Sequence, residues 1–242
     1  IQIRGKRKGG TEMYFINKAL EYIFLPSCGV CGKLGEGYLC KKCGKELEKY
    51  GICARELLCG LQTYNRVEIQ DTRNNISKIE KFHVLKYKDL VRQLIIKYKF
   101  NDKSYLYKTF CEFIVKNEKT FDFIKNYDII IPVPIHKKRM KERGYNQSEL
   151  IAKELARISQ IKCYTDILIK TKNNKPQSTL SGDLRKENTK NVYKLINQEK
   201  INNKKVLLFD DIYTTGATAK ECIKELEKAN VKKIGVMTLA KD

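Results

Sequence analysis

Four short apolar runs stand out along the chain. Lys81–Tyr87 (KFHVLKY) alternates apolar and polar positions, the period of a half-buried strand. Tyr127–Pro134 (YDIIIPVP), Lys205–Phe209 (KVLLF) and Lys233–Leu239 (KIGVMTL) are compact apolar runs of the kind found in strands buried on both faces. The first of these ends at Pro132 and Pro134, because proline cannot donate to a strand ladder. Between the runs, Leu90–Phe100, Tyr105–Asn117, Ser148–Ser159 and Thr218–Ala229 repeat their apolar residues at helical spacing. Strands alternating with helices in this order predict an α/β fold, a mostly parallel sheet flanked by helices on both faces.

The rest of the pattern predicts modules. Residues 14–25 carry apolar side chains around most of a short helix. From Pro26 to Gly60 the chain is rich in turns and cysteines. The expected organisation is a disordered basic tail over 1–12, a helix with a small cysteine module over 13–60, a polar linker over 61–80 and an α/β domain over 81–242. Residues 170–191, polar and containing Pro176 and Gly182, read as a long loop or arm.

Nine cysteines change the picture, because six lie between Cys28 and Cys59. No secretory signal or membrane-spanning run is evident, so paired cysteines are read first as metal ligands rather than disulfides. Cys28-x2-Cys31 and Cys40-x2-Cys43 each place two thiolates on one tight turn, with Gly32 and Gly44 following as residues that tolerate positive φ. Two such turns facing each other predict a structural zinc site of four cysteines. Cys53 and Cys59 have a looser spacing and either pack beside that site or reach a second one incompletely. Cys111, Cys163 and Cys222 read as core or surface residues of helices and strands.

The chain carries 49 Lys and Arg against 28 Asp and Glu, a formal charge of +21, most of it after residue 82. Such an excess attracts nucleic acid or phosphorylated ligands. Abundant Lys, Ile and Asn also fit the coding bias of an AT-rich genome.

The candidate chemistry centres on Val206–Thr218 (VLLFDDIYTTGAT). A buried strand runs into Asp210 and Asp211, and a short loop of hydroxyls and glycine opens a helix. Helix-start amides and the helix dipole favour an anion, and Gly216 permits close backbone approach. Thr214, Thr215 and Thr218 add hydroxyl donors beside Ala217. Two carboxylates at a strand's carboxyl end suit sugar hydroxyls or a hydrated magnesium ion. A second segment, Lys137–Arg143 (KKRMKER), reads either as a basic loop for pyrophosphate or single-stranded nucleic acid, through Lys137, Lys138, Arg139 and Arg143, or as a solvated charge run. Tyr98, Tyr105, Tyr107 and Tyr145 lie near basic residues and could stack bases, though tyrosines beside lysines are commonly plain core or surface residues.

The thirteen-residue segment resembles the phosphoribosyl-diphosphate motif of type I phosphoribosyltransferases. The resemblance assigns Asp210 and Asp211 to the ribose hydroxyls and Thr214 through Thr218 to the 5′-phosphate. Together with the cysteine finger, the PVP strand end, Arg143-Gly144-Tyr145-Asn146-Gln147 and the Gln177–Asn188 segment with Leu180, Ser181 and Arg185, the order of motifs resembles the ComF family of natural-transformation proteins. That resemblance implies a cytoplasmic protein that binds phosphoribosyl diphosphate with magnesium. It also implies handling of incoming single-stranded DNA alongside helicase-like and recombination-mediator partners. Two further readings stay open: an active phosphoribosyltransferase for an unidentified nitrogen acceptor, and a sensor of the sugar phosphate.

Overall fold

A computed structural model of the chain describes residues 25–51, 79–100, 103–172 and 192–242. The expected tail over 1–12, the linker over 61–78, residues 14–24 of the N-terminal helix, Cys53, Cys59 and the Gln177–Asn188 segment lie outside the described residues.

Seven strands and seven α-helices are described, in the order α1 (Lys41–Glu48), β1 (Glu80–Lys86), α2 (Asp89–Phe100), α3 (Leu106–Lys116), α4 (Glu118–Lys125), β2 (Ile129–Pro132), α5 (Lys137–Arg143), α6 (Gln147–Ser159), β3 (Lys162–Cys163), β4 (Leu168–Lys170), β5 (Tyr193–Leu195), β6 (Lys205–Tyr213), α7 (Ala217–Leu226) and β7 (Lys233–Lys241). The main sheet has the order β1-β7-β6-β2-β3, and every pair in it is parallel. β4 and β5 form a separate antiparallel pair.

Alternation along the central strands divides the core in two. Leu207 and Phe209 of β6, Met237 and Leu239 of β7 and Phe82 and Val84 of β1 face a layer made by α2, α3, α4 and α6. Val206, Leu208, Ile234 and Val236 face α7 and the β4–β5 pair. Burial on both faces is why these strands are nearly all apolar in sequence.

Several elements differ from the sequence reading, among them short strands at Lys162–Cys163 and Tyr193–Leu195 and the helix Lys41–Glu48. Lys137–Arg143 is a helix, not a loop. The His136 side chain caps its N-terminus by accepting from the Lys138 amide, and Gly144 ends it at φ 76°. Residues 118–125 add α4, whose Asn117 cap accepts from the Thr120 amide. Lys170 belongs to β4 rather than to the polar arm. Among the described residues, no helix is long and apolar enough to cross a membrane.

The cysteine segment packs directly onto α3. Cys28, Leu39, Cys40, Cys43 and Leu47 share one core with Phe110 and Ile114. The Tyr38 and Leu39 amides donate to Glu112 Oε2 at 2.8 and 3.1 Å, and Thr109 Oγ1 donates to the Tyr38 carbonyl at 2.9 Å. Contact is close enough that a Cβ on Gly29 would collide with Thr109 and Leu106. The segment also joins the sheet's edge, where the Lys86 amide donates to the Tyr50 carbonyl at 2.7 Å.

Candidate functional site

Where β2 stops, β6 continues. β2 pairs with β6 as far as Pro132 and Phe209. β6 runs on to Tyr213 against β7 alone, so Asp210 and Asp211 lie inside the strand, not beyond it. The missing neighbour opens a cleft of about 260 Å³ at the carboxyl end of the sheet. This is where ligands sit in open α/β folds.

Asp210 occupies the floor. Its Oδ1 accepts from Ser148 Oγ at 3.2 Å and from the Asp211 amide at 2.9 Å. Burial, and then the neighbouring charge of Asp211, push its carboxyl up to about 7. Asp211 instead pairs with Lys99 of α2, Nζ to Oδ2 at 2.7 Å. The two carboxylates and the hydroxyls beside them form a set of hard oxygen donors, which suits magnesium.

The loop Thr214–Gly216 crosses from β6 into α7. Gly216 is the helix cap, at φ 76° and without a side-chain acceptor of its own. A Cβ there would fall 2.6 Å from Tyr213 Cζ, so both conformation and space demand glycine. The first-turn amides of α7 have no carbonyl within the helix to bond, and Thr214, Gly216, Ala217 and Thr218 all line the cleft.

α5 supplies the facing wall. Arg139 and Arg143 line the cleft, whereas Lys137 and Lys138 are exposed and do not line it. Arg143 donates to Gln147 Oε1 at 3.0 Å and stacks over Phe100, 4.9 Å from Cζ to the ring centre. Burial lowers its guanidinium pKa. The Arg143–Gln147 segment thus has a structural logic: Gly144 ends α5, Asn146 caps α6 through the Ser148 amide, and Asn146 Nδ2 donates to the Val133 carbonyl at 3.0 Å.

Lys99, Ser148, Lys170 and Tyr193 line the same cleft from outside the Val206–Thr218 motif, and Tyr213 lines it from within. Lys170 lies 5.3 Å from the Tyr193 ring centre, and burial followed by the charge of Arg139 lowers its pKa. Among the tyrosines considered for stacking, Tyr98 is fully buried and donates to the Gln147 carbonyl at 2.9 Å. Tyr145 bonds the Tyr98 carbonyl. Tyr107 and Tyr145 pack against the core. Tyr105 and, unforeseen, Phe100 are the exposed rings here, at 45% and 64%.

The four predicted ligand cysteines converge. The sulfurs of Cys28, Cys31, Cys40 and Cys43 all lie within 4.8 Å of one another. Cys31 and Cys40 Sγ are 3.7 Å apart, against roughly 3.8 Å for the edge of a tetrahedron with 2.3 Å zinc–sulfur bonds. Gly32 adopts the expected positive φ of 78°. Gly44 does not, because the second pair is built differently: Cys40 caps α1 and Cys43 lies in its first turn. Burial raises the Cys28 thiol, but amide donors including Cys40, Cys31 and Val30 outweigh it and lower the pKa to about 7.

Comparison with known proteins follows the same lines. The phosphoribosyl transferase domain family matches residues 145–242. Competence protein F of Haemophilus influenzae is 30% identical over 209 residues, covering 84% of this chain and 90% of that protein. Competence protein ComFC of Bacillus subtilis is 29% identical over 216 residues, 84% of this chain and 78% of its own length. DNA utilization protein YhgH of Escherichia coli is 34% identical over 94 residues, covering 39% of this chain and 40% of that protein.

Proposed function

The chain belongs to the ComF family of competence proteins, and on that premise we propose that it binds phosphoribosyl diphosphate with magnesium and handles incoming single-stranded DNA in the cytoplasm. The observation that carries the ligand reading is the convergence, in one cleft, of Asp210 and Asp211, of Thr214, Gly216, Ala217 and Thr218, and of Arg139 with Arg143; Thr215 does not line it, and its hydroxyl accepts from the Ala217 amide at 3.4 Å. The carboxylates take the ribose hydroxyls and a hydrated magnesium ion, the loop amides take the 5′-phosphate, and the arginines face the pyrophosphate. Zinc on the four cysteines steadies the finger against α3.

Support for the DNA reading comes from charge and surface. The chain carries +21. Lys137 and Lys138 are exposed on α5, and the Phe100 and Tyr105 rings are exposed, with Arg143 over Phe100 and Lys103 two residues before Tyr105. Exposed rings among cations suit unpaired bases and their phosphates. The name of the Escherichia coli relative also refers to DNA utilization.

Isothermal titration with phosphoribosyl diphosphate and Mg²⁺, alongside an Asp210→Asn/Asp211→Asn variant, tests the ligand reading. Binding by the parent and its loss in the variant is the expected result. Absence of binding by the parent overturns the reading. Pyrophosphate release on adding a nitrogenous base would favour the transferase alternative.

A further inference from the structure

A buried lysine stands outside the motifs described above. Lys81, on the edge strand β1, is only 5% exposed. Among the described residues its hydrogen-bond partner is the Tyr213 hydroxyl, 3.2 Å from Nζ, and no carboxylate forms an ion pair with it. A cation on a buried residue that is matched by a neutral phenol is a place where an anion can be offset.

Tyr213 connects that charge to the cleft. It ends β6 and lines the cleft. Its ring lies 4.6 Å from that of His83, centre to centre. His83 is in turn fixed by Nδ1 to Thr238 Oγ1 at 2.7 Å. So held, the Tyr213 ring spans β7, with its hydroxyl against Lys81 on one side and close over Gly216 on the other. The loop from Thr214 to Thr218 contains no cation.

We propose that Lys81 and Tyr213 form part of the seat for a phosphate monoester on the Thr214–Thr218 loop. Lys81 donates to the phenol oxygen, which leaves the phenol's own proton free to donate toward the phosphate. The ammonium supplies from behind the positive charge that the loop lacks. Tyr213 is a binding residue in this arrangement, and Lys81 is a positioning residue that acts through it. The inference rests on the phosphoribosyl reading and adds two residues to it, one from a strand that the motif does not include.

The test is titration of the full zinc-loaded chain with two probes, ribose 5-phosphate and inorganic pyrophosphate, each with Mg²⁺. Lys81→Met keeps the aliphatic stem, and Tyr213→Phe keeps the ring against His83. Loss of one charge-assisted bond predicts a dissociation constant for ribose 5-phosphate raised about tenfold in Lys81→Met and about three- to tenfold in Tyr213→Phe. Pyrophosphate binding should stay within about twofold of the parent, because its cations lie on α5. Unchanged ribose 5-phosphate binding in both variants overturns the inference, as does a parallel loss of both probes. Failure of the parent to bind either probe overturns the phosphoribosyl reading itself. If Lys81→Met does not fold, Tyr213→Phe decides.

Discussion

Replacing Asp210 with Asn should make the ligand-free protein more stable, and increasingly so as pH rises. In the fold, burial and the adjacent Asp211 raise this carboxyl from its ordinary 3.8 to about 7. Each unit corresponds to about 1.4 kcal/mol, so ionising Asp210 costs the folded state at most about 4 kcal/mol. Because the side chain borders the cleft, water recovers part of this, leaving about 2–4 kcal/mol. The sign follows from proton binding. Below the ordinary carboxylate range both folded and unfolded chains hold the proton, and the cost is absent. As pH rises, the unfolded chain releases its proton first, so folding is progressively disfavoured up to about pH 7, above which the cost is complete. Asn retains an oxygen to accept from Ser148 Oγ and the Asp211 amide, so those two bonds survive. Urea denaturation of both proteins without ligand should show the gap in favour of Asp210→Asn widening by about 2–3 kcal/mol between about pH 5 and pH 8. A gap that does not change with pH, or a variant less stable than the parent at pH 8, would refute the reasoning. The same substitution should weaken ligand binding, which is the expected trade at a site held ready for a cation and a sugar.

Other outcomes follow from the same geometry. Gly216→Ala forces a side chain into a positive-φ position against Tyr213 and should abolish measurable binding of ribose 5-phosphate; binding that persists would mean the loop is not the phosphate seat. Chelating zinc, or replacing Cys40 with Ser, should lower the melting temperature of the whole protein in one transition, since Leu39, Cys40 and Leu47 share a core with α3. Two separate calorimetric transitions would show the finger to be independent. Glu112→Ala removes the acceptor of two backbone amides and should cost about 1–3 kcal/mol in urea unfolding. An Arg139→Ala/Arg143→Ala pair should weaken pyrophosphate binding. Lys137→Ala/Lys138→Ala should spare it and reduce the salt dependence of single-stranded DNA binding, read by fluorescence anisotropy.

Much of this architecture was legible from period and motif. The strands KVLLF and KIGVMTL and the helices at 148–159 and 218–229 carry clear apolar spacing, and the TTGAT loop carries its own chemistry. The helix at Lys137–Arg143 was hidden because its side chains bury none of their surface fully, so no apolar period marks it. Its signals were the caps, His136 and Gly144. The end of β6 was hidden for the opposite reason. Asp210 and Asp211 look like the close of a strand, yet β7 continues to pair with β6 through Lys241. Lys99 and Lys170 line the site from elements far apart in sequence, and Lys81 touches Tyr213 from a third. Among 49 basic residues only the fold distinguishes them. Gly44 shows that one spacing can be met by two local structures, since the second cysteine pair sits on a helix start instead of a turn.

The central claim is that this cleft holds a phosphoribosyl diphosphate with magnesium. A crystal structure of the zinc-loaded protein grown with both tests it most directly. The account predicts the 5′-phosphate on the amides of Thr214–Thr218, the ribose hydroxyls at Asp210 and Asp211, and the pyrophosphate facing Arg139 and Arg143. Ligand density elsewhere, or a cleft left to solvent at saturating ligand, would contradict it.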